Sequence, residues 1–178
     1  MKKAIPIVAV IALLVGGFIL LQSHFSGTGS AKEETPQVQK DDQKPVFSLL
    51  DYSGNRFESK DFKGKIQAIN FWASWCPFCK DELIRLEELQ AAFPEDVVVI
   101  AVNRAEPLSV AKDFSDDLEL SGEPLFLLDP NDSFYRSIGG FTMPETLFLD
   151  TKGKIVQHKR GSMDLEEMKE VVNGILQK

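Results

Sequence analysis

An uncharged apolar run fills residues 4–21, from Ala4 to Leu21, and Pro6 is its single helix breaker. Eighteen residues of helix would reach about 27 Å, close to the hydrocarbon thickness of a bilayer. Lys2 and Lys3 precede the run, and positive flanks stay on the cytoplasmic side, so the remainder is expected on the far side. The run reads either as a retained anchor or as a cleaved signal peptide; its length favours the anchor. Residues 26–44 are polar and rich in charge, the composition of a tether. The expected organisation is therefore an anchor over 1–25, a linker over 26–44 and one globular domain over 45–178.

Within that domain the pattern alternates between two periods. Val46–Leu50 reads as a strand followed by a turn at Ser53-Gly54-Asn55. Residues 66–72 (IQAINFW) read as a buried strand, and 77–93 as a helix ended by Phe93-Pro94. The run Val97–Val102 is nearly continuous in β-branched residues, as in a buried parallel strand. A helix is expected over 107–119, a strand over 125–128 and a short helix over 131–138. A hairpin follows, with strands over 145–149 and 154–159. The last element is an amphipathic helix over 164–176, with Asp164 and Glu167 placed as a capping box. Strands alternating with helices imply a layered α/β domain.

Composition narrows the function. The net charge is −7, and the chain shows no clustered Lys/Arg surface of the kind nucleic acid requires. Cys76 and Cys79 are the only cysteines and lie in the run Trp72-Ala73-Ser74-Trp75-Cys76-Pro77-Phe78-Cys79-Lys80. Zinc needs about four ligands, and only His24 and His158 could join them, so no metal is expected. A disulfide closing so short a loop removes little chain entropy, which argues against a purely structural bridge. Redox exchange remains. A thiol attacks as thiolate, and a helix amino end favours the anion. Cys76 is thus the expected nucleophile and Cys79 the resolving thiol. Pro77 is expected just inside the helix start, where its missing N–H costs nothing. Glu82, Leu86, Leu89 and Phe93 fall on one helical face, so the carboxyl of Glu82 is expected to be buried, with a raised pKa, and able to exchange protons with Cys79.

The active-site run after a buried strand, together with Met143-Pro144-Glu145-Thr146 and Cys79-Lys80-Asp81-Glu82, resembles the thioredoxin superfamily, and within it the membrane-anchored TlpA/ResA/CcmG-like branch. The resemblance covers residues 44–176. It implies a thioredoxin-like fold: a central mixed sheet flanked by helices, with extra N-terminal strands. It implies a thiol-disulfide oxidoreductase whose redox centre is the Cys76–Cys79 pair, with no further cofactor. It implies that Pro144 is a cis-proline facing the cysteines, and that Met143 offers its backbone to clients. Trp75 and Pro77 complete the client-binding set. Trp75 is expected exposed and Trp72 packed. Asn70 stands where thioredoxin has a buried aspartate, which leaves Glu82 as the proton carrier. The implied clients are exported disulfide-containing proteins, apocytochrome c among them, with electrons from a membrane thiol carrier. Two other readings stand beside this one: a thiol oxidant that inserts disulfides, and a binding module in which the thiols are incidental. Peroxidase chemistry finds no matching motif.

Overall fold

The computed structural model describes residues 44–120 and 124–178. The expected anchor and nearly all of the expected linker lie outside the described residues. Among the described residues, no helix is long and apolar enough to cross a membrane.

Seven strands form one mixed sheet: β1 (Ser48–Asp51), β2 (Arg56–Glu58), β3 (Ile66–Trp72), β4 (Val97–Arg104), β5 (Leu125–Asp129), β6 (Glu145–Leu149) and β7 (Ile155–Arg160). Their spatial order is β2-β1-β5-β4-β3-β6-β7. The central β5, β4 and β3 run parallel, and every flanking pair is antiparallel. Among the described residues there are also four α-helices, α1 (Cys79–Ala92), α2 (Leu108–Asp116), α3 (Ser133–Ser137) and α4 (Leu165–Leu176), and a short 3-10 helix at Ser59–Phe62.

Side chains alternate across a strand, so each central strand feeds two cores. On one face Ile66, Ala68 and Phe148 pack with Leu86 and Leu89 of α1 and with Met168, Val172 and Ile175 of α4. On the other, Ile69, Phe71, Ile100, Val102 and Leu147 pack with Phe47, Phe134 and Tyr135. The β-branched run of β4 is covered on both faces, as a central parallel strand must be. The capping box expected at α4 is present: Asp164 accepts from the Glu167 N–H at 2.8 Å, and the Glu167 side chain returns to the Asp164 N–H at 3.4 Å.

The same alternation places the site. Along β3, Asn70 shares the α1 side with Ala68 and Trp72. Along β6, Thr146 shares it with Phe148, while Glu145 faces the opposite core. Asn70 and Thr146 are direct register partners. Trp72, the last residue of β3, pairs with Asn103 near the end of β4.

The α1 start differs from the expected one. The helix begins at Cys79 rather than at residue 77. Cys76 N–H bonds the Ala73 carbonyl at 3.1 Å, and Cys79 N–H bonds the Cys76 carbonyl at 3.3 Å, two successive three-residue turns. The first four-residue bond runs from Glu82 N–H to the Phe78 carbonyl. Pro77 therefore lies in the turn ahead of the helix, with Phe78 as the residue before its first turn.

Candidate active site

β3 delivers the chain to the carboxyl end of the central parallel strands, where Cys76 and Cys79 are joined in a disulfide with their Cα atoms 5.5 Å apart. Opening N–H groups of a helix lack intrahelical partners, and α1 presents its first turn beside Cys76. Both cysteines are more enclosed than the expected accessible nucleophile: Cys76 is 3% exposed and Cys79 is fully buried. They pack with Trp72, Leu83, Ala101 and Ala111. The exposed part of the site is aromatic instead. Trp75, just before Cys76, is 63% exposed, and Phe78, between the two cysteines, is 61% exposed. Trp72 is fully buried against Phe114 and Phe126.

The Met143–Pro144 peptide bond is cis. Met143, in the loop before β6, packs against the cluster that includes both cysteines. Pro144 is buried, and its carbonyl accepts from Gly161 N–H at 2.9 Å. Pro77 is exposed in the turn.

Glu82 lies one turn beyond Cys79 and is fully buried. Its Oε1 accepts from Asn70 Nδ2 at 2.9 Å and from the Thr146 hydroxyl at 2.7 Å. Its Oε2 accepts from Met163 N–H at 3.0 Å. Burial pushes the Glu82 carboxyl above its ordinary range, and bonds from Thr146, Met163 and Ser162 offset part of the rise. The expected buried, perturbed acid is therefore present, and its partners come from β3, β6 and the segment before α4.

Two further carboxylates hold the loops around the disulfide, and neither was expected from sequence. Glu106 accepts from Ser74 N–H at 2.9 Å, from the Ser74 hydroxyl at 2.6 Å and from Asn103 Nδ2 at 2.7 Å. It ties the turn leading into Cys76 to the β4–α2 loop. The usable signal was position: the carboxyl ends of parallel strands gather functional residues, and Asn103-Arg104-Ala105-Glu106 leaves β4 there. Glu145 accepts from the Tyr135 hydroxyl at 3.0 Å and from the N–H groups of Phe141 at 3.2 Å and Thr142 at 3.3 Å. His158 Nε2 at 2.5 Å and Arg160 Nε at 3.2 Å meet its other oxygen. Burial raises its pKa, but the bonds from His158, Tyr135 and Thr142 outweigh that and leave it lowered. Glu145 thus braces the loop that ends in the cis-proline. Arg160 also covers the ring of Phe141, which is 76% exposed.

Chemically, the arrangement is a reducible bridge, an enclosed acid one helical turn behind the inner sulfur, and a braced loop against the bridge. Comparison with known proteins agrees. Residues 39–176 match the Redoxin family. The thiol-disulfide oxidoreductase ResA of Bacillus cereus is 31% identical over 98% of this chain and 99% of its own length. The crystal structure of a putative thiol:disulfide interchange protein DsbE from Chlorobium tepidum superposes with a TM-score of 0.70 at 26% identity, covering 76% of this chain and 96% of that one. The crystal structure of StoA from Bacillus subtilis gives 0.61 at 28% identity, over 72% of this chain and 97% of that one.

Proposed function

The chain belongs to the Redoxin family and is a thiol-disulfide oxidoreductase of the ResA, StoA and DsbE type, and from that premise we propose that it is a membrane-anchored dithiol reductant of exported proteins. The observation that carries the reading is the packing of Met143, from the cis-proline loop, against the cluster containing both cysteines. A client strand laid along that loop would bring its own disulfide to Cys76. The uncharged run over 4–21 behind Lys2 and Lys3 supports an extracytoplasmic domain. Apocytochrome c is the favoured client class, because the Pro144-Glu145-Thr146 spelling resembles the cytochrome-maturation members of the family more than general thioredoxins.

The exchange balances as follows. In the reduced enzyme the Cys76 thiolate attacks one sulfur of a client disulfide. The client S–S bond breaks, a mixed disulfide forms, and the second client sulfur leaves as thiolate. Cys79 gives its proton to Glu82 and attacks the Cys76 sulfur. The mixed bond breaks, the client departs with both sulfurs reduced, and the two electrons it has gained are those the enzyme gave up in forming the Cys76–Cys79 disulfide. The proton on Glu82 passes to a departing client thiolate. A dithiol carrier in the membrane returns the enzyme to its reduced form. Trp75 and Phe78 border the approach to Cys76, and Pro77 keeps the intervening turn rigid.

Substituting each cysteine in the full chain separates the two roles. Cys76→Ser should lower disulfide reduction at least 100-fold. Cys79→Ser should accumulate a covalent client adduct, because attack proceeds and resolution does not. Mass spectrometry of that adduct should return exported proteins carrying paired cysteines. Full reductase activity in Cys76→Ser, or adducts drawn only from cytoplasmic proteins, would sink the reading.

A further inference from the structure

Asn70, Thr146 and Glu82 meet on the α1 side of the sheet, although they come from β3, β6 and α1. The register pairing of Asn70 with Thr146 sets the first two side by side, and the opening turn of α1 lowers the carboxyl onto both. The hydrogen bonds have one direction. Asn70 Nδ2 donates to Thr146 Oγ1 at 2.9 Å and to Glu82 Oε1 at 2.9 Å. The Thr146 hydroxyl, with its lone pair engaged by Asn70, turns its own hydrogen to Glu82 Oε1 at 2.7 Å. Asn70 Oδ1 is buried and has no hydrogen-bond partner among the described residues, so the amide faces this network with its donors alone.

We propose that Thr146, oriented by Asn70, is a positioning residue that sets how readily Glu82 takes up and releases the Cys79 proton. Hydrogens from Asn70, Thr146 and the Met163 N–H point at the carboxylate oxygens of Glu82, and the remaining one, from Asn70 to Thr146, orients the hydroxyl, so the wiring favours the anion. Burial works against the anion. Thr146 is thus the removable weight on one side of that balance. It also follows Pro144 by two residues, which places the proton-setting hydroxyl and the client-facing loop on one short segment. The other groups facing Glu82 are few. On α1, Arg85 acts on it and donates to the Met163 carbonyl at 3.2 Å, and Cys79, three residues before Glu82, shares its side of the helix. From the segment before α4 they are Ser162 and the Met163 N–H, and neither titrates. β3 and β6 contribute only Asn70 and Thr146.

The inference rests on the proton-carrier reading of Glu82 given above, and the test keeps the two apart. In the full chain, Glu82 would be titrated by carboxyl carbon NMR in the oxidised form. The pH profile of the resolving step would be measured separately, from release of a mixed disulfide with a small thiol. Thr146→Val removes the hydroxyl at nearly constant volume. It should raise the Glu82 midpoint and the kinetic profile by about one pH unit, the weight of one hydrogen bond to a charged group. Thr146→Ser should return both to the wild-type position; Thr146→Ala serves in place of the valine if that variant does not fold. An unchanged Glu82 midpoint in folded Thr146→Val overturns the inference. A wild-type kinetic profile in Glu82→Gln would instead overturn the proton-carrier role, while the NMR titration still decides what Thr146 does.

Discussion

A carboxyl with no solvent exposure and an elevated proton affinity makes the folded state sensitive to pH in a defined direction. Burial raises the Glu82 pKa above its unfolded value, so between the two values the folded chain binds more protons than the unfolded one. Stability from this group is whole below the unfolded pKa and declines as pH rises through the folded pKa. Glu82→Gln cannot ionise and should escape the decline. Urea unfolding of the oxidised chain at pH 4 and pH 8 checks this: the variant's midpoint should gain on that of the wild type as pH rises. A gap that stays constant, or moves the other way, would mean that the anion is not penalised in the fold. Glu145 shows the opposite balance at the same depth, because five donors converge on it. Burial of Glu82 was legible in the sequence, since its helical spacing with Leu86 and Leu89 is local. Its partners were not, because Thr146 is 64 positions away and Met163 is 81.

Elements were legible wherever periodicity and end signals agreed. The buried run of β3, the β-branched run of β4 and the hairpin of β6 and β7 all stand near their expected bounds. The start of α1 does not, because its first residues obey the disulfide and two tight turns before any helical bond forms. At α4 the cap is a purely local signal, and it was read correctly. It also bears on the site: Asp164 follows Met163, whose N–H holds Glu82. Asp164→Ala should cost about 1 kcal/mol of stability, the usual weight of such a cap. Thermal or urea unfolding measures it, and an unchanged midpoint would show that packing of Met168, Val172 and Ile175 alone holds this helix.

For the whole molecule, the sheet brings three separated pieces of chain to one end: the turn after β3, the loop after β4 and the loop before β6. Glu106 braces the first to the second, and Glu145 braces the third. A reductant requires that the disulfide form be the preferred one. Equilibration of the full chain with a thiol-disulfide buffer should therefore give a potential well below about −250 mV. A value near −120 mV, the range of strong protein oxidants, would reverse the direction of electron flow.

Spacing along the backbone was enough to determine the thiol pair, the helix behind it, the apolar run ahead of the domain and the alternation that builds two cores. Each of these is written in neighbours no more than a few turns apart. Tertiary structure alone decided how enclosed the sulfurs are, which hydroxyl and amide hold Glu82, and which carboxylates brace the loops. Those outcomes depend on strand register and crossover, which bring distant polar groups within hydrogen-bonding reach, and a polar residue carries no mark in sequence of the partner it will meet.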